Sequence, residues 1–120
     1  MKKKTLIIGA TPNPERYAYK AAHKLVQHDH PIINVGVKKG EVAGFPIEKP
    51  SQIHTDVDTI TLYLNPTNQK ELYQYILDTK PKRIIFNPGT ENLELAHKAE
   101  AQGIETLEAC TLVLLSINQY

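Results

Sequence analysis

Short runs of β-branched and aliphatic residues alternate along this chain with stretches whose apolar positions recur every three to four residues. The run Thr5–Gly9 (TLIIG) predicts a first strand. From about Pro14 to Asp29, Ala18, Ala21, Ala22, Leu25 and Val26 share one helical face, and the small alanines would let that helix approach a sheet closely. Pro31–Val37 (PIINVGV) predicts a second strand, with its proline at the entry, where no ladder donor is needed. Lys38 to Val57 is less regular and holds Gly40, Gly44, Pro46 and Pro50. Within it, Gly44–Glu48 (GFPIE) reads as a short edge strand and Ser51–Ile53 as a brief helical turn. Asp58–Leu64 is a clear strand, followed by a helix from Pro66 to about Thr79. Lys82–Phe86 is the next strand, and Glu91–Gln102 a helix stopped by Gly103. Ile104–Ala109 is the last strand, and Thr111–Ile117 begins a closing helix.

This alternation predicts an α/β fold of three layers, a doubly wound, mostly parallel sheet with helices on both faces. The expected strand order is 3-2-1-4-5-6, with the short strand at one edge. Asn-Pro occurs three times, at Asn13-Pro14, Asn65-Pro66 and Asn87-Pro88, each just past a strand. Asparagine caps helices and proline suits their first turn, so each pair reads first as helix initiation. Together with Gly9, Gly36 and Gly89 they gather turn chemistry at the carboxyl ends of the strands. Open α/β sheets bind ligands there, where the strand order reverses. That crevice is expected between Gly9-Ala10-Thr11 and Leu64-Asn65-Pro66.

Composition narrows the partners. The 120 residues suffice for one domain, 1–120, that buries a core without metals or disulfides. The formal net charge of +1 implies no broad electropositive surface, so no nucleic acid is expected. No apolar run approaches the length of a membrane span, and the lysines at 2–4 read as a solvated tip on the first strand. The single cysteine, Cys110, excludes an internal disulfide and multi-cysteine metal sites, which fits a reducing cytoplasm.

The first turn does not carry the usual dinucleotide fingerprint. Laid from Gly9, the second glycine position is Thr11 and the third is Pro14. No acidic residue follows the second strand before Glu41; Lys38 and Lys39 stand there instead. No phosphate-binding loop of the G-x-x-x-x-G-K-[ST] type occurs either. A helix start near Asn13 would still offer free N–H groups to an anion, with the Thr11 hydroxyl and the Arg16 guanidinium beside them. Tyr17 is close enough to pack on a ligand. The lysines suit an extra phosphate on an adenosine ribose.

Four segments carry a resemblance: LIIGATPNPERYAYKAAHKL, INVGVKKGEVAGFPI, VDTITLYL and IIFNPGTENLELAHKAEAQGIETLEAC. Together they resemble the small stand-alone, Rossmann-like CoA-binding domains, similar to the N-terminal domain of the succinyl-CoA synthetase α subunit. The resemblance spans nearly the whole chain. It implies a ligand, CoA or an acyl-CoA, whose phosphates lie on Gly9-Ala10-Thr11 with Arg16 nearby. It places Lys38, or next Lys39, near the ribose phosphate, and sets Leu64-Asn65-Pro66 and Asn87-Pro88-Gly89 along the pantetheine arm.

No catalytic constellation can be assembled from the residues. His28 and His30 bracket only Asp29, too few ligands for a metal, and read as solvent-exposed. Cys110 has no base assigned to it and reads as packing or a modest redox group. The expected function is therefore non-catalytic binding, as a sensor or partner subunit. The alternative is a small NAD(P)-binding oxidoreductase, with Lys38 and Lys39 on the NADP phosphate. The closing helix, apolar all round at Leu112–Leu115 and Ile117, allows a homodimer.

Overall fold

The computed structural model describes residues 2–120. Its strands are β1 (Thr5–Ile8), β2 (Ile32–Val35), β3 (Glu41–Val42), β4 (Phe45–Glu48), β5 (Thr59–Leu62), β6 (Arg83–Phe86) and β7 (Glu105–Glu108). They form one sheet in the order β3-β4-β2-β1-β5-β6-β7. Every pairing is parallel except β3 with β4. The six expected strands thus stand in the expected order, and the chain adds β3 outside the short edge strand. Val42 pairs with Phe45 across a two-residue turn in which Ala43 and Gly44 both have positive φ. Asn34 holds this hairpin, its amide donating to the carbonyls of Val42 and Phe45 at 3.1 Å.

Helices cover both faces. Helix α1 (Tyr17–Gln27) and the short α5 (Thr111–Ser116) lie on one face, while α3 (Tyr73–Thr79) and α4 (Leu93–Glu100) lie on the other. The expected helix from Pro66 to Thr79 is segmented: α2 (Pro66–Gln69), a 3₁₀ turn (Lys70–Leu72), then α3. Gln69 is fully buried in that segment, its amide donating to the Leu64 and Thr90 carbonyls at 2.8 Å. The expected helical turn at Ser51–Ile53 is absent. Proline 50 and its neighbours make only a turn, and the connection crosses the sheet as irregular chain.

The two faces differ in chemistry because strand side chains alternate. Leu6, Ile8, Val35, Ile60, Leu62, Ile84 and Phe86 form a wholly apolar layer under α3 and α4. The opposite face interleaves Ile7, Ile32 and Ile85 with buried Thr5, Thr59, Thr61, Arg83 and Asn87. Buried polar groups need partners. Arg83 donates to the Thr59 hydroxyl at 2.7 Å, and its guanidinium stacks 4.4 Å from the Tyr120 ring centre.

His30 corrects an expectation. Instead of facing solvent it is buried, accepting the Lys3 N–H at Nδ1 (2.9 Å) with its ring edge-on to Tyr120. His28 is half-buried. Among the described residues no group of three or more His, Cys, Asp and Glu is placed to hold a metal. Nor, among them, is any helix long and apolar enough to cross a membrane.

Candidate functional site

A cavity of about 1330 Å³ opens at the carboxyl ends of β1, β2 and β5. Two glycines let the loops there converge. A β-carbon on Gly9 (φ +95°) would lie 2.9 Å from the Tyr63 carbonyl oxygen, and one on Gly36 would lie 2.5 Å from that of Ala10. The N–H groups of Gly9 and Ala10 both reach the Val35 carbonyl, which ties the first loop to the end of β2. The absence of a side chain at both positions lets the strand ends approach one another at the cavity wall.

The first loop differs from expectation at Asn13. Its side chain accepts the Glu15 N–H (3.0 Å) and its carbonyl the Arg16 N–H (3.1 Å), so residues 13–16 form a turn and α1 begins only at Tyr17. The break lies at Arg16, whose extended backbone (φ −88°, ψ 147°) separates this turn from the helix. Arg16 becomes the residue before the helix, and no side chain caps it. The first-turn N–H groups of Tyr17 and Ala18, both on the cavity wall, are therefore left without a side-chain cap, and Arg16 lines the same wall.

Across the cavity the other two Asn-Pro pairs diverge. Asn65 behaves as expected: its side chain accepts the Asn68 N–H (2.9 Å) and Pro66 occupies the first turn of α2. Asn87 does not cap. It is buried, its amide donating to the Thr61 hydroxyl (2.7 Å) and the Leu62 carbonyl (2.8 Å), and its oxygen accepts the Thr111 N–H (2.9 Å). It braces β5, β6 and α5 behind the site. Asn92 caps α4 instead.

The chain matches the family described as CoA binding domain over residues 3–116. It belongs to the CoA binding domain family. A crystal structure described as an uncharacterized protein is 54% identical, with TM-score 0.98 over 100% of this chain and 99% of that one. A hypothetical protein from Pyrococcus horikoshii is 27% identical, with TM-score 0.81 over 93% of this chain and 80% of that one. A Thermus thermophilus structure is 17% identical over 99% of this chain and 91% of that one, with TM-score 0.87, and shows the shared fold alone. No curated protein matches the chain.

In this CoA binding domain, the cavity wall brings together Gly9, Ala10, Thr11, Asn13, Arg16, Tyr17, Gly36, Lys38, Leu64, Asn65, Pro88 and Gly89. Lys39, Pro66 and Asn87 lie off it, so of the two lysines only Lys38 faces the space. Tyr63, Glu71, Leu72 and Thr90 also line the wall and went unread in the sequence. The segmented helix places Glu71 and Leu72 there, and nothing local announces that break. Burial pushes the Tyr63 phenol far above its ordinary value, and the neighbouring Thr61 and Thr111 hydroxyls pull it back only in part. It stays neutral, a half-buried ring in the floor. Cys110 sits before α5, half-buried and off the cavity wall.

Proposed function

We propose that this chain binds CoA or an acyl-CoA in the carboxyl-edge cavity without transforming it, as a sensor or partner subunit. The observation that carries this reading is the convergence of Arg16, Lys38 and the uncapped start of α1 on one cavity in a CoA binding domain. Two cations and free helical N–H groups suit a polyphosphate, and Lys38 suits the ribose phosphate. Exposed Tyr17 and Val37 on the rim offer apolar surface to a base or a pantetheine arm. The wall carries no histidine or cysteine, and its titratable side chains do not form a nucleophile–base pair, which supports binding over chemistry.

Calorimetric titration with CoA and 3′-dephospho-CoA tests the reading. CoA binds, the dephospho form binds roughly tenfold more weakly, and Lys38→Ala removes that difference. No heat with either ligand overturns it. Tight binding of NADPH in place of CoA would favour the oxidoreductase. We further propose a homodimer through α5, where Val113 and Ile117 are more than half exposed. Sedimentation as a monomer at micromolar concentration would reject it.

A further inference from the structure

We propose that the cavity admits CoA thioesters whose acyl group is uncharged, and that Glu71 turns away acyl groups ending in a carboxylate. The inference rests on the CoA reading and concerns the end of the cavity away from its cations. Arg16 and Lys38, the cationic side chains on the wall, follow β1 and β2. Phosphates held there send the pantetheine thiol toward the loops after β5 and β6.

That end offers a carboxylate no cation to pair with. None of its wall residues is a lysine, arginine or histidine, and Lys70, beside Glu71, lies off the wall. Two of its backbone donors are already engaged. The Asn68 N–H goes to the Asn65 side chain and the Gly89 N–H to the Glu91 carboxylate, each at 2.9 Å. Pro66 and Pro88 have no N–H to give, and the Thr90 hydroxyl donates to the Asn87 carbonyl at 2.8 Å. Glu71, on the 3₁₀ turn, places a negative charge on the wall itself, and Glu91 adds a second at the Gly89 turn. A dicarboxylic acyl group would thus meet like charge without a compensating cation. An uncharged acyl group meets Leu64, Leu72 and Pro88 as apolar surface, with the Asn65 and Asn68 amides as neutral partners.

The test is calorimetric titration of the full chain with CoA, acetyl-CoA and succinyl-CoA, on the wild type and Glu71→Gln. Glu71 is exposed and makes no hydrogen bond, so the substitution leaves folding intact. In the wild type, succinyl-CoA is expected to bind roughly tenfold more weakly than acetyl-CoA, and in Glu71→Gln the ratio closes to about twofold. Equal binding of the two thioesters by the wild type, or a ratio unchanged in Glu71→Gln, overturns the selectivity alone. Absence of binding to CoA itself overturns the CoA reading and the selectivity with it.

Discussion

Gly36 packs so closely on Ala10 that a β-carbon there would stand 2.5 Å from the Ala10 carbonyl oxygen. That contact is between backbones, so no side chain can swing away to relieve it. Gly36→Ala must push the end of β2 from the first loop, at a cost of about 2 kcal/mol. The displaced loops should also weaken CoA binding by roughly tenfold, since Gly9, Ala10 and Lys38 all depend on that junction. Gly44→Ala is the control: nothing lies within 4 Å of its β-carbon, so only the left-handed backbone (φ +89°) is penalised. Thermal denaturation and calorimetric titration of both variants separate the two effects. Unaltered binding in Gly36→Ala would count against the junction's role.

The sheet was legible because buried parallel strands read as unbroken apolar runs, and because crossover rules leave few orders for them. The β3–β4 hairpin was not, since its turn places Ala43 where the left-handed geometry ordinarily selects asparagine or glycine. The three Asn-Pro pairs show the limit of local signals. The same dipeptide makes a turn at Asn13, a cap at Asn65 and a buried brace at Asn87, and only packing from α5 decides the last. His30 is likewise buried by Tyr120, far along the chain, which no local pattern records.

Asn65 and Asn87 should therefore differ sharply on truncation. Asn65→Ala loses one exposed helix cap, worth about 1 kcal/mol. Asn87→Ala strands the Thr111 N–H and the Leu62 carbonyl in the interior and costs about 3 kcal/mol. Urea denaturation of the two variants measures the gap. Equal losses would mean that the brace behind the site is not held by Asn87.

His30 makes stability depend on pH. Burial lowers its pKa below the ordinary 6.5, and Lys2, Lys3, His28 and Arg83 lower it further by their charge. The unfolded chain then takes up the proton first as pH falls. Stability is complete above about pH 6.5 and declines as pH drops from there toward the lower folded value. Protonation at Nδ1 would also end its acceptance of the Lys3 N–H. His30→Asn keeps an acceptor without the titration, so its denaturation midpoint should fall less between pH 7 and pH 5.5. A midpoint that falls equally in both proteins would assign the decline to other groups.

Tyr120 anchors the edge of the sheet opposite the cavity, and its loss should separate stability from binding. Its ring lies against Arg83 and His30, its hydroxyl pairs with Thr5, and its carbonyl accepts from Lys3 and Arg83. Tyr120→Ala removes the apolar cover from a buried guanidinium and opens the layer between β1 and β6, at a cost of about 3 kcal/mol. Tyr120→Phe keeps the ring and loses one hydrogen bond, about 1 kcal/mol, because the Thr5 hydroxyl still donates to the Lys3 carbonyl at 3.0 Å. Tyr120 lies off the cavity wall, and its contacts are all at the amino ends of the strands. Both variants, kept well below their melting temperatures, should bind CoA with affinity within about twofold of the wild type, since separated sites act independently. A tenfold loss of affinity in Tyr120→Phe would show that the two edges of the sheet are coupled through the polar layer of Thr5, Thr59 and Thr61.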